Sequence, residues 1–540
     1  MPLPRNNIIW PPTDPCVQAA LADWDAWYSS DPDRLEASYT GRGYREAVDR
    51  PSRYRGGVVG KVARWFWGNP TPEGEKRDKL HVPLAGDIAR TSSELLFAEP
   101  PKLLAAEGAS DATQKALDSL MENGLQPTLL EAGEICAALG GAYLRVVWDD
   151  DASDRPWIDT VAADRAVPEF RYGRLVAVTF WTVLETEGRS DNRVFRHLER
   201  HEKGRIYHGL YEGSATSLGA VRPLADHPQT APLAAEVDAE GGLDTGAPDH
   251  LTAAYVPNVR PARAWRHIPS AAYWGQSDFQ GIEGLMDALD ETYSSWMRDI
   301  QNGKGRIVVP QSMLESFGPG QGASWNEERR VYTGLNMLAQ TTSPIEVIQF
   351  EIRVAEHRDT CQALMEQAVR QAGYSAGSFG ESDGQPVTAT EVKARNRRSL
   401  GTAGRKGLYW MPGIADISSA YLGVLSGFRF RISGLDLGKP QVELQDGITE
   451  GPTELATTAE LLNRAEAASR ETLVRMLHPE WDDIRVRQEV DAILDEASRS
   501  ATADPVPTES EESAPNTGSS SDDRGPGGAP PVRRQSTAVR

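Results

Sequence analysis

The stretch that decides the fold is SDFQGIEGLMDALDETYSSWMRDIQNG, residues 277–303. Apolar side chains recur in it at intervals of three and four, the period of an amphipathic helix. They are Ile282, Leu285, Met286, Leu289, Tyr293, Trp296, Met297 and Ile300. Ser277 and Gln280 fit an S-x-x-Q capping box, and Gly303 supplies a stop. The pattern predicts one long helix over 277–303.

A second long helix is predicted from about Phe350 to Ala372, within the segment 347–373, because the helical period returns there and Gly373 ends it. The insert between the two helices, 304–346, contains a short strand pattern at Ile307–Val309. An insert of this length forms no more than a cap on the helix ends. We therefore expect the two helices to pair antiparallel.

The segment after these helices combines a loop with a third long helix. Residues 374–387 are rich in glycine and lack an apolar period, which predicts a mobile loop. Thr388 and Glu391 form a capping box that opens the next helix, and Pro412 predicts a kink in it. A return strand is predicted at Phe428–Ile432, within the segment 388–450.

The N-terminal 80 residues form an arm rich in Pro, Trp and Arg. Asp14 fits the N-cap of a helix over Pro15–Tyr28, with proline at its first position. We expect this arm to contribute little to the core. The region 81–276 opens with two further predicted helices, Leu84–Phe97 and about Pro127–Leu139.

From Ala142 the apolar period changes to that of strands. A hairpin is predicted from Tyr143–Trp148 and Trp157–Val161, and residues 212–250 are predicted to be a long loop. Three further strands are predicted at Leu175–Leu184, Val194–His201 and Arg205–Tyr211. At the other end of the chain, 451–499 reads as two or three short helices, and 500–540 is too polar to bury a core.

Composition excludes several classes of protein. The 57 basic and 78 acidic residues give a formal net charge of -21, which disfavours a protein that coats DNA or a membrane surface. No segment approaches the run of about 20 apolar residues that a membrane span needs, and the N-terminus lacks a signal-peptide pattern. The three cysteines, Cys16, Cys136 and Cys361, are widely spaced, and we expect them in a reducing compartment without metal.

Four stretches in order resemble the portal proteins of tailed bacteriophages, which form the ring at the capsid vertex. They are LAGDIARTSSELLFAEPP from Leu84, GQSDF from Gly275 leading into DALDETYSSWMRDI, TATEVKARNRRSL from Thr388, and ASRETLVRMLHPEWDDIRVRQEVDAI from Ala468. The resemblance spans most of residues 80–498. It does not extend to the first 80 residues, the 212–250 segment or the C-terminal tail.

The resemblance implies an α+β portal-type subunit with no cofactor. Residues 81–276 would be the β-rich wing, 277–303 and 347–373 the paired stem helices, and 304–346 a small α/β clip. The segment 374–387 would be the tunnel loop, 388–450 the kinked wing helix and its return strand, and 451–499 the helical crown, with a disordered tail over 500–540.

The function implied by the resemblance is that of a conduit for double-stranded DNA during packaging and ejection. Its expected partners are itself, in a ring of twelve copies, the terminase large subunit, the head-tail adaptor, and the major capsid and scaffolding proteins. DNA would pass without sequence specificity, and no membrane is involved. We expect assembly in the host cytoplasm and a final location at the capsid vertex of the virion.

Candidate site residues follow from the tunnel loop, the basic helix and the clip. The candidates for facing DNA are Lys393, Arg395, Arg398, Arg405, Lys406, Gly377, Ser378, Phe379 and Gly380. The candidates for docking the motor or adaptor are Glu327, Glu328, Arg329 and Arg330. The basic helix also has a structural interpretation, as a solvated face or as salt bridges to an acidic neighbouring subunit.

Several fragments imitate catalytic motifs without their context. Gly380–Gly384 fits G-x-S-x-G but has no buried strand before it. His197 and His201 lie four apart, but in a strand pattern rather than in the helix of a zinc site. The Asp149–Asp154 cluster lacks the glycine and glutamate of a calcium loop and reads as a hairpin turn.

No G-x-x-x-x-G-K-[ST] phosphate loop is present, so another protein would have to hydrolyse ATP. We therefore expect a structural protein rather than an enzyme. The alternatives are another virion component, such as an adaptor or minor capsid protein, and a hydrolase that uses Ser382 or the two histidines.

Overall fold

The protein is described from a computed structural model. The structure describes residues 3–5, 7–35, 80–185, 193–302, 306–308, 315–316, 323–324, 346–348, 353–379, 396–444, 452–465, 467–478, 481 and 483–501. The chain divides into two compact units, Met1–Thr449 and Glu450–Arg540. Helices and sheets both build the first unit, so the fold class is α+β, as predicted.

The first unit contains long helices on either side of its β-strands in sequence. Its α-helices are α1 (Pro15–Ser29), α2 (Leu84–Phe97), α3 (Asp111–Leu120), α4 (Gln126–Leu139), α5 (Glu283–Asn302), α6 (Val354–Ala372) and α7 (Arg397–Ser426). A kink within Met121–Leu125, where Gly124 has a φ of 95°, joins α3 to α4. No described helix is both long enough and apolar enough to cross a membrane.

The strands fall into one larger sheet and several small ones. They are β1 (Lys102–Leu104), β2 (Gly141–Val147), β3 (Trp157–Ala162), β4 (Ala166–Arg171), β5 (Arg174–Leu184), β6 (Val194–Glu202), β7 (Arg205–Gly213), β8 (Ala220–Arg222), β9 (Gly242–Asp244), β10 (Ala253–Pro257), β11 (Arg306–Val308), β12 (Glu315–Ser316), β13 (Ala323–Ser324), β14 (Glu346–Ile348) and β15 (Gln441–Glu443). The larger sheet has the order β4-β5-β6-β7-β8, with β9 also paired to β7. A three-stranded sheet has the order β10-β2-β3.

The predicted strands of the β-rich region are confirmed, since β2, β3, β5, β6 and β7 cover them. The 212–250 segment is not one long loop. It carries the end of β7 together with β8 and β9, which both pair with β7 and extend the sheet. These strands are only three residues long, too short to leave an alternating pattern in the sequence.

The two long helices α5 and α6 pair antiparallel, as predicted. Asp299 near the end of α5 accepts from Arg353 at 3.2 Å, and its Oδ2 lies 2.9 Å from Nε2 of His357 near the start of α6. The rings of Trp296 and His357 stack. Strands β11 and β14 pair antiparallel, which joins the two ends of the insert.

Helix α5 begins at Glu283, not at Ser277, and the predicted capping box is wrong. The Ser277 hydroxyl donates to the carbonyl of Ala138 at 2.6 Å and accepts from the backbone N–H of Phe279 at 3.0 Å. It therefore ties the turn before the helix to the end of α4. Helix α6 likewise begins at Val354 rather than Phe350, and Gly373 ends it in the left-handed conformation.

The N-terminal helix α1 belongs to the main core, contrary to the expectation of a peripheral arm. Trp24 and Trp27 are 3% and 2% exposed, and they lie in one apolar cluster with Ile88 of α2 and Met286 of α5. Asp14 caps the helix by accepting from the N–H of Cys16 at 2.8 Å, as predicted. Trp24 and Trp27 are three residues apart, which places them on one face of α1.

Helix α7 runs through Pro412, and its C-terminal half is buried beside the three-stranded sheet. Trp410 packs edge-to-face on Phe97 of α2. The predicted return strand at Phe428–Ile432 is wrong, because this stretch forms a turn and irregular backbone. The strand that follows α7 is β15, which pairs with β1.

The second unit contains three described helices, α8 (Pro452–Arg464), α9 (Arg470–Leu477) and α10 (Asp483–Ala501). They match the predicted short helices of 453–498. Ser469 caps α9 by accepting from the N–H of Thr472 at 3.2 Å. His478 and Trp481 stack between α9 and α10.

Candidate functional site

A buried lysine lies where the long helices of the first unit meet. The side chain of Lys406, on α7, has 0% solvent exposure. Its ammonium donates to the Oδ2 of Asp278 at 2.5 Å, the hydroxyl of Ser92 at 2.6 Å and the hydroxyl of Tyr374 at 2.8 Å. All three donors of the ammonium are therefore used inside the protein.

Asp278 is the centre of this lysine network, which we define as Ser92, Asn258, Asp278, Tyr374 and Lys406. Its Oδ2 also accepts from the hydroxyl of Tyr374 at 2.7 Å, and its Oδ1 accepts from the side-chain amide of Asn258 at 2.8 Å. Burial, and next the negative charge of Asp278, raise the pKa of Tyr374 well above its usual value. Tyr374 therefore stays neutral and keeps donating its proton.

The sequence before α5 explains how Asp278 reaches this position. The backbone N–H of Asp278 donates to the carbonyl of Ala137 at 3.0 Å, which fixes the turn on α4. Gly275 lies against Gly140 so closely that a Cβ at Gly275 would meet the Gly140 carbonyl oxygen at 2.0 Å. The glycine at 275 is therefore required for the turn that aims Asp278 inward.

The network connects Lys406 of α7 to α2, to the turn before α5 and to the segment that follows α6. Removing one partner of a buried ion pair leaves an uncompensated charge in a low-dielectric interior, which is strongly destabilising. Lys406 is therefore a structural residue of the subunit. Because its ammonium is buried and fully bonded, the prediction that Lys406 faces DNA is wrong.

Next to the network lies an open cleft with a volume of about 620 Å³. Three parts of the chain form its walls: residues 259–263, the end of α6 at Gln371–Gly373, and the first turns of α7. Ser277 and Asp278 also line it. We call it the arginine cleft, after the residues Arg260, Arg263, Arg397, Arg398 and Arg405 that line it.

The charge of the arginine cleft is unbalanced among the described residues. Arg263, Arg397, Arg398 and Arg405 are exposed. No described carboxylate lies within 4.0 Å of these four guanidinium groups. Asp278 is the one carboxylate among the residues that line the described cleft, and it is bonded to Lys406.

The N-terminus of α7 adds to the positive potential. Arg397 and Arg398 lie in its first turn, which contains no acidic residue and has no side-chain cap. The partial positive charge of a helix N-terminus favours an anion and disfavours cations in the first turn. The cleft therefore presents positive charge to any group that enters it.

The described start of the predicted tunnel loop is packed rather than free. Ala376–Phe379 form a 3₁₀ turn. The hydroxyls of Ser378 and Ser399 lie 2.8 Å apart, and the ring of Phe379 packs edge-to-face on Tyr374. This part of the loop is therefore held on α7 and on the lysine network.

The structure places the other predicted site residues as follows. Arg398 and Arg405 line the cleft together, and Gly377 lies in the 3₁₀ turn. Outside the described residues lie Lys393, Arg395, Gly380, Glu327, Glu328, Arg329 and Arg330.

Sequence reasoning missed the acidic centre of the network and two arginines of the cleft. Asp278 stands inside the Gly275–Phe279 stretch that carried the family resemblance, which was the available signal. Arg260 and Arg263 come from a segment more than 130 residues before α7 in sequence, and no local pattern connects them to it. Only the fold brings the three parts together.

Two of the fragments that imitate catalytic or metal-binding motifs lie in described residues, and their side chains form hydrogen bonds within the fold. His197 and His201 both lie on β6, and His201 bonds to Glu199 at 2.6 Å and to Thr252 at 2.8 Å. The described residues hold no group of three or more potential metal ligands. Asp149 accepts from the N–H of Asp151 in the turn between β2 and β3. Gly380–Gly384 lies outside the described residues.

Residues 255–503 match the family model for phage portal proteins of the SPP1 Gp6-like type. The match covers 249 of the 540 residues. It includes α5, α6, α7 and the helices of the second unit, and hence the whole arginine cleft. Of the lysine network, only Ser92 lies outside the matched residues.

Among solved structures, the chain is similar to the neck of an empty GTA particle computed with C6 symmetry. The identity is 14% and the TM-score 0.40, over 78% of this chain and 94% of that chain. No curated protein matches the sequence.

Proposed function

We propose that this chain is a phage portal protein, which forms a closed ring at one vertex of a phage capsid and serves as the conduit for double-stranded DNA during packaging and ejection. The observation that carries the proposal is the match of residues 255–503 to the phage portal family. The proposed role is structural: the ring lets DNA pass through it and catalyses no reaction.

A closed ring of identical subunits requires a heterologous interface, in which one face of a subunit meets a different face of the next. The antiparallel pair α5 and α6 is the proposed stem, and its outer surface is available for such contacts: Val354, Ala355 and Ala363 of α6 are exposed in the isolated subunit. We propose twelve copies in the ring within the virion.

Passage of DNA requires a wall that does not hold it. Each phosphate contact adds affinity, so a channel lined with many cations would bind the duplex at every step. The net charge of -21 fits a weakly adhesive conduit. The DNA-facing role of Gly377, Ser378 and Phe379 stays a prediction within this proposal. For Arg398 and Arg405 the DNA-facing role is one of two alternatives, and the other is contact with a neighbouring subunit.

The proposed partners follow from the position of the ring. The terminase large subunit would supply ATP hydrolysis, because the sequence lacks a phosphate loop. The clip, 304–346, would dock terminase and later the head-tail adaptor. Major capsid and scaffolding proteins would surround the ring as the capsid assembles in the host cytoplasm.

The proposal is tested by removing the protein from a phage that encodes it. We expect a null allele to give particles without a packaged genome, and expression of the intact chain from a plasmid to restore DNA-filled particles. The readout is the DNA content of purified particles. Normal genome content without the protein would contradict the proposed function.

A further inference from the structure

The arginine cleft needs an anion that the described part of the subunit does not provide. Four of its arginines are exposed and have no described carboxylate partner within 4.0 Å. The N-terminus of α7 points the same way, because its first turn holds two arginines and no acidic residue. Like charges that line one cleft repel one another, and an anion between them removes that repulsion.

The shape of the cleft selects against a DNA duplex as that anion. The arginines line a concave space of about 620 Å³ between three segments, rather than a convex stripe along one helix. A duplex is too wide to enter this space and would touch only its rim. Carboxylate side chains are narrow enough to enter, and they accept paired hydrogen bonds from a guanidinium group.

The strength of the charge selects against DNA as well. Five arginines per subunit, repeated around a ring, would add many phosphate contacts to a duplex that has to move. A fixed interface between subunits has no such requirement, because its ion pairs are meant to persist.

A second copy of this chain supplies the required chemistry. The sequence has 78 acidic and 57 basic residues, so the surface that a neighbouring copy presents is rich in carboxylates. Complementary charge on two different faces also fixes the order and register of subunits in a heterologous ring.

We propose that the arginine cleft is a socket for carboxylate side chains of the neighbouring subunit, and that each cleft is completed only when the ring closes. The inference rests on the proposed function, since it requires a ring. It assigns Arg260, Arg263, Arg397, Arg398 and Arg405 to assembly rather than to contact with the moving duplex.

The first test reverses charge in the cleft. The double variant Arg398→Glu/Arg405→Glu changes two exposed side chains, and the control Arg171→Glu/Arg174→Glu makes the same change on the exposed β4–β5 hairpin. We expect the cleft variant to lose ring assembly at least tenfold, measured as the ring fraction by mass photometry, while the control assembles as the unsubstituted chain does. Circular dichroism checks that both variants are folded.

The outcomes separate the inference from the proposed function. Rings that form normally in the cleft variant but lose affinity for a duplex oligonucleotide would overturn the inference in favour of DNA. Rings that form normally with unchanged DNA affinity would also overturn it, because the cleft would then serve neither partner. An unsubstituted chain that never forms rings would contradict the proposed function itself.

A second test does not depend on charge reversal. Gly401 lines the cleft, and a Cβ placed there meets no atom within 4 Å, so Gly401→Cys accommodates a photoreactive maleimide label. Leu408→Cys, at an exposed position of the same helix outside the cleft lining, is the control. We expect light to give covalent dimers from the cleft label, joined at a peptide containing Asp or Glu. Cross-links confined to single chains would overturn the inference.

Discussion

At the scale of single residues, two neighbours in sequence have opposite roles. Arg405 is exposed in the arginine cleft, whereas Lys406 is buried on the carboxylate of Asp278. Adjacent positions on a helix differ by about 100° in direction, so one points to the cleft and the other to the core. The buried pair is tolerated because Ser92, Asn258 and Tyr374 satisfy the remaining hydrogen bonds.

Truncating the buried lysine is expected to destabilise the first unit. Lys406→Ala leaves the Asp278 carboxylate buried without its counter-charge, and we expect a loss of about 3–5 kcal/mol in the free energy of unfolding. The matched control is Arg405→Ala, an exposed change expected to stay within about 0.5 kcal/mol. Urea denaturation measures both. Adding Asp278→Asn to Lys406→Ala should recover part of the loss, and equal stability of the two single variants would contradict the role of the network.

At the scale of elements, the larger sheet has a buried polar face on β6 and β7. The rings of His197 and His208 stack, and Nε2 of His197 lies 3.2 Å from Nδ1 of His208. Glu199 bonds to Arg145 at 2.8 Å and to His201 at 2.6 Å. Burial favours the neutral form of His208 and lowers its pKa from 6.5 to about 4, with Glu199 opposing the shift.

This sheet is expected to lose stability as the pH falls from 6.5 toward 4. Below pH 6.5 the unfolded chain binds a proton at His208 and the folded chain does not, so acid favours unfolding. At about 1.4 kcal/mol per pH unit, the loss between pH 6.5 and 4.5 is on the order of 2–3 kcal/mol. We expect His208→Gln to reduce the slope of unfolding free energy against pH. The control His267→Gln changes an exposed histidine and should leave the slope of unfolding free energy against pH unchanged. An unchanged slope in His208→Gln would contradict the conclusion that His208 causes the loss of stability in acid.

The sequence predicts best those elements that have a long apolar period or a capping residue close to the helix end. Helix α2 occupies the predicted range, and α1 begins at the predicted N-cap, because periodicity and capping act within a few residues. The predicted start of α5 at Ser277 is wrong because the Ser277 hydroxyl bonds to the end of α4, and a local sequence pattern contains no information on that contact. The same reason explains the lysine network and the arginine cleft, whose members meet only through tertiary packing.

At the scale of the whole molecule, the distribution of charge is uneven. The chain as a whole is acidic, which suits a conduit for DNA, yet five arginines gather in one cleft. In the proposed ring, these charges are neutralised between subunits and present little attraction to the duplex. Weak binding of DNA in the channel and strong binding between neighbouring subunits would then both follow from this charge distribution.

We propose that many copies of this chain close into a hollow ring. Electron microscopy of the purified chain, alone and with its capsid partners, measures this most directly. We expect class averages to show a closed annulus with a central hole and a countable number of subunits. Particles that remain monomers, or that assemble only into sheets or open filaments under both conditions, would contradict the claim.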